Sequence, residues 1–162
     1  MSALDFLSPD LAGPEAVWRS SLERALAQAP AGIRDISRIG KLEVRGDVDS
    51  LDADDVEVVA VTPDRALVLC DYERAADLRV KLREQFRAVF DMTAALAGMQ
   101  VEGETLMRRL TDLDLDELPA VGPVAHVQAY VLRDGDVFRI FFPQEYGHYV
   151  GEVVVDAAEG LR

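Results

Sequence analysis

The chain of 162 residues has one cysteine and two histidines. A lone Cys70 excludes an internal disulfide and any site built from several thiolates. Two imidazoles, His126 and His148, cannot by themselves furnish the three or four converging ligands of a zinc centre. Basic residues are a minority: 17 Lys and Arg against 30 Asp and Glu leave a formal charge of −13. Such a chain repels a phosphate backbone, so nucleic acid is not an expected partner. No run approaches the eighteen or so apolar residues of a membrane span, and Met1-Ser2-Ala3-Leu4-Asp5 carries no basic stretch before an apolar core. No membrane is expected, and the expected location is the cytoplasm. Also missing are a G-x-S-x-G elbow, a Gly-rich phosphate loop with Lys, and a dinucleotide fingerprint. Neither a catalytic residue nor a metal ligand is assigned.

What is present is ordinary globular texture, 49% hydrophobic and 29% charged, long enough to bury roughly 70% of the unfolded surface. The reading is one α+β domain spanning 1–162. Leu4, Phe6, Leu7 and Leu11 are too apolar for a free tail, so residues 1–13 are expected to form an arm lying on the body or on a partner. Pro14 fits a first helical position, and Trp18, Leu22, Ala25 and Ala29 recur at helical spacing until Pro30 and Gly32. Arm and helix together occupy 1–30, with Trp18 placed in core or interface.

From Ile33 the period shortens. Ile33 to Ser37 and Lys41 to Val44 alternate, and Gly46 closes that pair. Asp47 to Asp55 reads as a solvated acidic loop, since it lacks the Gly-spaced pattern of a calcium loop. A hairpin of Val56 to Val61 and Ala66 to Cys70 turns at Pro63-Asp64. A helix over about 73–88 then shows Ala75, Leu78, Leu82 and Phe86 on one stripe, with Arg74, Lys81 and Arg87 on a solvated face. Cys70 reads as a buried apolar thiol.

The pattern then repeats. Ile33-Arg34-Asp35-Ile36-Ser37 through Gly46 lines up with Val89-Phe90-Asp91-Met92-Thr93 through Gly103, with one extra residue in the second copy. Each copy continues to an alternating hairpin and a closing amphipathic helix. The pseudo-repeats are therefore about 33–88 and 89–158, duplicated strand-strand-(helix)-hairpin-helix halves packed about a shared core. Only the second carries a helix after its glycine, with Leu106, Met107, Leu110 and Leu113, followed by Leu118-Pro119 and Gly122-Pro123. Asp112, Asp114, Asp116 and Glu117 alternate with leucines in a loop that turns its apolar side inward.

The second hairpin, Val127 to Phe142, is the most legible element: two β-rich runs flank Asp134-Gly135. Phe138, Ile140 and Phe142 are expected to fill the core, with Val137, Arg139 and Phe141 on the opposite face. Both faces then need cover, from the other half or from another subunit. The last helix starts at Pro143 and places Tyr146, Tyr149, Val150, Val153 and Ala157 at helical spacing before Gly160.

The run Phe90-Asp91-Met92-Thr93, Met99 to Gly103, Leu106 to Leu110, Leu113 to Pro119, and Phe142-Pro143-Gln144-Glu145-Tyr146-Gly147-His148-Tyr149 resembles the gamma subunit family of heterotetrameric sarcosine oxidase. More distantly it is similar to the folate-binding domain of the glycine-cleavage aminomethyltransferase (T-protein). The resemblance implies a folate-binding-domain-like α+β fold of ferredoxin-like repeats. It also implies a small, non-catalytic companion of larger alpha and beta flavoenzyme subunits that oxidise sarcosine in one-carbon metabolism.

Three departures from the catalytic relatives favour a non-catalytic chain. The tip Arg133-Asp134-Gly135-Asp136 is too short for the aminomethyltransferase's catalytic Asp. No Lys-Gly-Cys-Tyr motif, as in the related iron–sulfur maintenance proteins, surrounds Cys70. The additional C-terminal barrel is absent. This chain alone is expected to bind no cofactor. The alternative reading is a stand-alone folate-binding protein or one-carbon transferase, in which Asp91, Tyr130 and Arg139 would hold the pterin and glutamyl groups of tetrahydrofolate. Self-association is a further alternative.

Overall fold

Short β-rich runs separated by glycines, and three longer stretches of 3.6-residue periodicity, give the elements of the computed structural model, which describes residues 18–161. In order they are β1 (Ile33–Asp35), β2 (Gly40–Arg45), β3 (Glu57–Thr62), β4 (Arg65–Cys70), α1 (Ala75–Gln85), β5 (Ala88–Asp91) and β6 (Leu96–Glu102). There follow α2 (Glu104–Leu110), β7 (Ala120–Val124), β8 (Val127–Asp134), β9 (Val137–Pro143) and α3 (Gly147–Glu159). The strands form two antiparallel sheets, ordered β1-β6-β9-β8-β7 and β3-β4-β2-β5.

Each sheet takes an edge strand from the other half of the chain. β1 pairs with β6, Ile33 opposite Val101, while β5 pairs with β2, Val89 opposite Val44. The exchange is tied by matching hydrogen bonds. Ile36 N–H donates to Gly98 C=O at 2.9 Å, and Met92 N–H to Lys41 C=O at 2.8 Å. Lys41 N–H donates to Thr93 Oγ1 at 3.1 Å, and Gly98 N–H to Ser37 Oγ at 3.0 Å. Asp35 and Asp91 each accept from the amide two residues on, at 2.8 and 2.9 Å. These bonds close the two crossovers from strand to strand, where the backbone would otherwise bury unpaired polar groups.

The layers run helix, sheet, sheet, helix. α1 buries Ala75, Leu78 and Leu82 on Leu42, Val44, Ala66 and Val68. α2 and α3 bury Leu106, Met107, Leu110, Val150 and Val154 on Met99, Val101, Phe138 and Ile140. Between the sheets lie Val59, Leu67, Leu69, Leu96, Leu132 and Phe141. The face of β9 that carries Phe141 is thus covered by the other half of the same chain. Phe138, Ile140 and Phe142 fill the helix-side core as their alternation predicts.

Several expectations are corrected. The arm at 1–13 and the helix start at Pro14 lie outside the described residues. Within them, 21–28 is a run of turns rather than a helix, with Leu26 N–H on Leu22 C=O at 2.9 Å. Its apolar spacing is satisfied by lying on α3, where Gly151 leaves room for Ala25 and Gly147 for Ser21. Trp18 is 44% exposed and is not core. β1 and β2 do not pair: β1 is an edge strand held by β6, and β2 lies in the other sheet between β4 and β5.

The helix after Gly103 stops at Leu110, before Leu113, and α3 begins at Gly147 rather than Pro143. The buried stripe of α3 is Gly147, Val150, Gly151 and Val154, which leaves Tyr146 and Tyr149 exposed. β7 is unforeseen. It contains Pro123, which an edge strand accommodates because its outer N–H needs no partner. The loop after α2 does turn Leu115 inward, and Arg133 holds it through the Leu115 carbonyl at 3.1 Å.

Candidate functional site

Strand parity decides where each candidate residue points. On β2, Leu42 and Val44 face α1, so Lys41 and Glu43 face the other sheet and are buried. Lys41 Nζ donates to the carbonyls of Ser37 at 2.7 Å and Ile39 at 2.8 Å, and it lies 5.8 Å from the centre of the Phe141 ring. Burial lowers the Lys41 pKa to about 8, with Asp35 and Asp91 opposing that shift. Glu43 accepts from Arg45 at 2.8 Å and from Arg65 at 2.7 Å, and Arg65 also reaches Tyr130 Oη at 3.3 Å. Burial, ahead of the nearby charges, raises the Tyr130 pKa, so the phenol stays neutral around pH 7.

A cleft of about 330 Å³ opens at the rim of this layer, lined among others by Ile39, Glu57, Leu69, Cys70 and Arg139. Two of its charges are matched within the chain, because Arg139 grips both oxygens of Glu57, while Asp55 and Asp71 also line it. That hydrogen bonding lowers the Glu57 pKa and raises that of Arg139. Burial raises the Cys70 thiol, leaving it a poor nucleophile at neutral pH.

The three residues expected around a pterin are therefore divided. Tyr130 and Arg139 share the inter-sheet face, on β8 and β9, each engaged by a side chain of the opposite sheet. Asp91, opposite Leu42 in the register, stands on the α1 side of its sheet and accepts from Thr93 N–H. Parity separates it from the other two. The sequence reading passed over Lys41 and Glu43, which look there like the wet face of an amphipathic strand. The available signal was the repeat itself: Glu43 falls on Gln100 of the second copy, so both inner strands carry a polar residue at one position. Among the described residues no three His, Cys, Asp or Glu side chains converge to hold a metal ion.

The outer surface is richer in unspent groups. Trp18 and Tyr72, 44% and 42% exposed, form a tilted pair with ring centres 6.5 Å apart, and the Arg38 guanidinium sits 5.2 Å from the Tyr72 centroid. Phe90 is exposed beside Arg45, while Tyr146 and Tyr149 are exposed near the start of α3. No described helix is long and apolar enough to cross a membrane.

No family model and no curated protein matches this sequence. Solved structures do match the fold. A chain of the heterotetrameric sarcosine oxidase from Corynebacterium sp. U-96, in complex with pyrrole 2-carboxylate, superposes with a TM-score of 0.74 at 17% identity. That match covers 90% of this chain and 96% of the other. The glycine cleavage system aminomethyltransferase T from Bartonella henselae gives 0.56 at 16% identity, over 83% of this chain and 48% of that one. The chain thus corresponds to about half of the aminomethyltransferase. At these identities the likeness is one of fold: a mixed α+β arrangement of antiparallel sheets and helices.

Proposed function

We propose that this chain is the small, gamma-like, non-catalytic subunit of a heterotetrameric sarcosine oxidase-type flavoenzyme, and that its partners are the larger alpha and beta subunits. The observation that carries the reading is the extent of the match. Nearly the whole of the sarcosine oxidase chain, 96%, is covered, so the likeness is to an entire subunit. The aminomethyltransferase is covered over only 48% of its length, so the likeness there is to part of an enzyme. The paired charges of the inter-sheet layer agree with a supporting role, since Arg139 bonds Glu57 and Arg65 bonds Tyr130 across the sheets, while Glu43 takes Arg65 within its own sheet. We further infer that the two halves are diverged copies, a reading supported by the exchanged edge strands and the matching hydrogen bonds at Lys41 and Gly98.

The test is co-expression of the tagged chain with its flanking genes, capture on the tag, and an absorbance scan of the product. A yellow complex with flavin bands is expected. A colourless chain recovered alone, with those genes expressed, would sink the proposal.

A further inference from the structure

The Trp18–Tyr72 pair separates two clefts. One, of about 470 Å³, is lined by Trp18, Glu23, Asp35 and Arg38; the other, of about 570 Å³, by Tyr72, Glu73 and Asp91. Asp35 and Asp91 occupy matching positions in the two halves. Each uses Oδ1 to accept one backbone amide, from Ser37 and Thr93, while its side of the pair holds a further glutamate. Each cleft thus carries two carboxylates beside a half-exposed aromatic ring, and Arg38, which lines the first cleft, rests over the Tyr72 ring of the second.

From this geometry we propose that the surface docks a basic segment of a protein partner, taking one Arg or Lys side chain in each cleft. An aromatic ring face attracts a cation through its quadrupole, and Arg38 on Tyr72 shows that geometry within the chain. Trp, Tyr and Arg are the residue types that carry most interface energy when water is excluded around them. A net charge of −13 steers a basic segment toward this chain over long range. The inference rests on the reading of the chain as a subunit and names the chemistry of one contact that reading requires.

Trp18 is the only tryptophan, so its emission reports this surface alone. The full chain is titrated with a synthetic Arg-Gly repeat peptide, and separately with its Glu-Gly counterpart. A saturable emission change is expected with the basic peptide, abolished at about 0.5 M salt, and none with the acidic one. In the double variant Asp35→Asn, Asp91→Asn the turn-capping oxygens remain while both charges go, and affinity is expected to fall about tenfold. An unmoved Trp18 emission, or equal affinity in the double variant, overturns the proposal. So does a protein-concentration-dependent emission shift without peptide, which would make a second copy the occupant.

The two readings fail separately. If the double variant assembles with the flavoprotein as well as the wild type does, this surface is wrong and the subunit reading stands. If the wild type discriminates the peptides yet captures no flavoprotein, the surface stands and the subunit reading falls.

Discussion

Arg139 on β9 and Glu57 on β3 meet in a two-point ion pair that joins the two sheets across 82 residues of sequence. Arg139 is 21% exposed and Glu57 51%, so water screens the pair from one side. Its worth is under about 1 kcal/mol. The Glu57 pKa is lowered in the fold, so this contribution is present above the unfolded carboxylate range and lost as pH falls through the folded value. Urea denaturation of wild type and Glu57→Gln is expected to show a small wild-type advantage at pH 7 that vanishes in acid. A loss of several kcal/mol at pH 7 would contradict this account.

Lys41 gives the opposite end of the pH scale. Its pKa falls to about 8 on folding, so between pH 8 and its unfolded value the unfolded chain binds more protons. Stability therefore rises with pH over that window, by up to about 3 kcal/mol at about 1.4 kcal/mol per pKa unit. Lys41→Met cannot share the gain and leaves the carbonyls of Ser37 and Ile39 without their donor. Denaturation at pH 7 and pH 9.5 is expected to show the gap between wild type and variant widening at the higher pH.

Gly98 lies against the Phe141 ring. A Cβ there would meet ring carbons at 2.8 and 2.9 Å and the Ile36 carbonyl at 3.0 Å. Gly98→Ala is expected to cost about 1–3 kcal/mol by overpacking the layer between the sheets. A melt within half a degree of wild type would show that Phe141 can move aside.

His126 occupies the left-handed region, φ +64°, beside Ala125 at φ +48°, in the two-residue turn that joins Val124 to Val127. Such turns favour Asn-Gly, and a side chain there costs about 1–2 kcal/mol. Glycine relieves that strain but adds freedom to the unfolded chain. His126→Gly is expected to stabilise by about 0.5–1 kcal/mol net, raising Tm by about 2 °C. A lower Tm would mean that the imidazole makes a stabilising contact.

Gly151 admits Ala25, whose Cβ lies 2.6 Å from where a Cβ on Gly151 would stand. Gly151→Ala gains about 1 kcal/mol of helix propensity in α3 yet pushes residues 21–28 away. The expected signature is divided: Trp18 emission shifts to the red while far-UV circular dichroism keeps its sheet signal. An unchanged emission would show that the turns do not depend on this contact.

Local pattern was enough for much of the fold. The hairpins around Pro63-Asp64 and Gly135, the presence though not the exact ends of the three helices, and the echo of Ile33–Ser37 in Val89–Thr93 are all short-range features, written in periods of two and 3.6 residues. The charge balance and the scarcity of thiol and imidazole are likewise read directly from the residues. Only the tertiary structure decided the rest. A strand's free edge carries no address for its partner, so the exchange of β1 and β5 was not written in either run. Alternation tells which residues share a face but not whether that face meets water, so Lys41 and Glu43 became interior only when the second sheet closed over them. The same parity set Asp91 apart from Tyr130 and Arg139, because a one-residue difference in phase sends a side chain to the opposite side of its sheet.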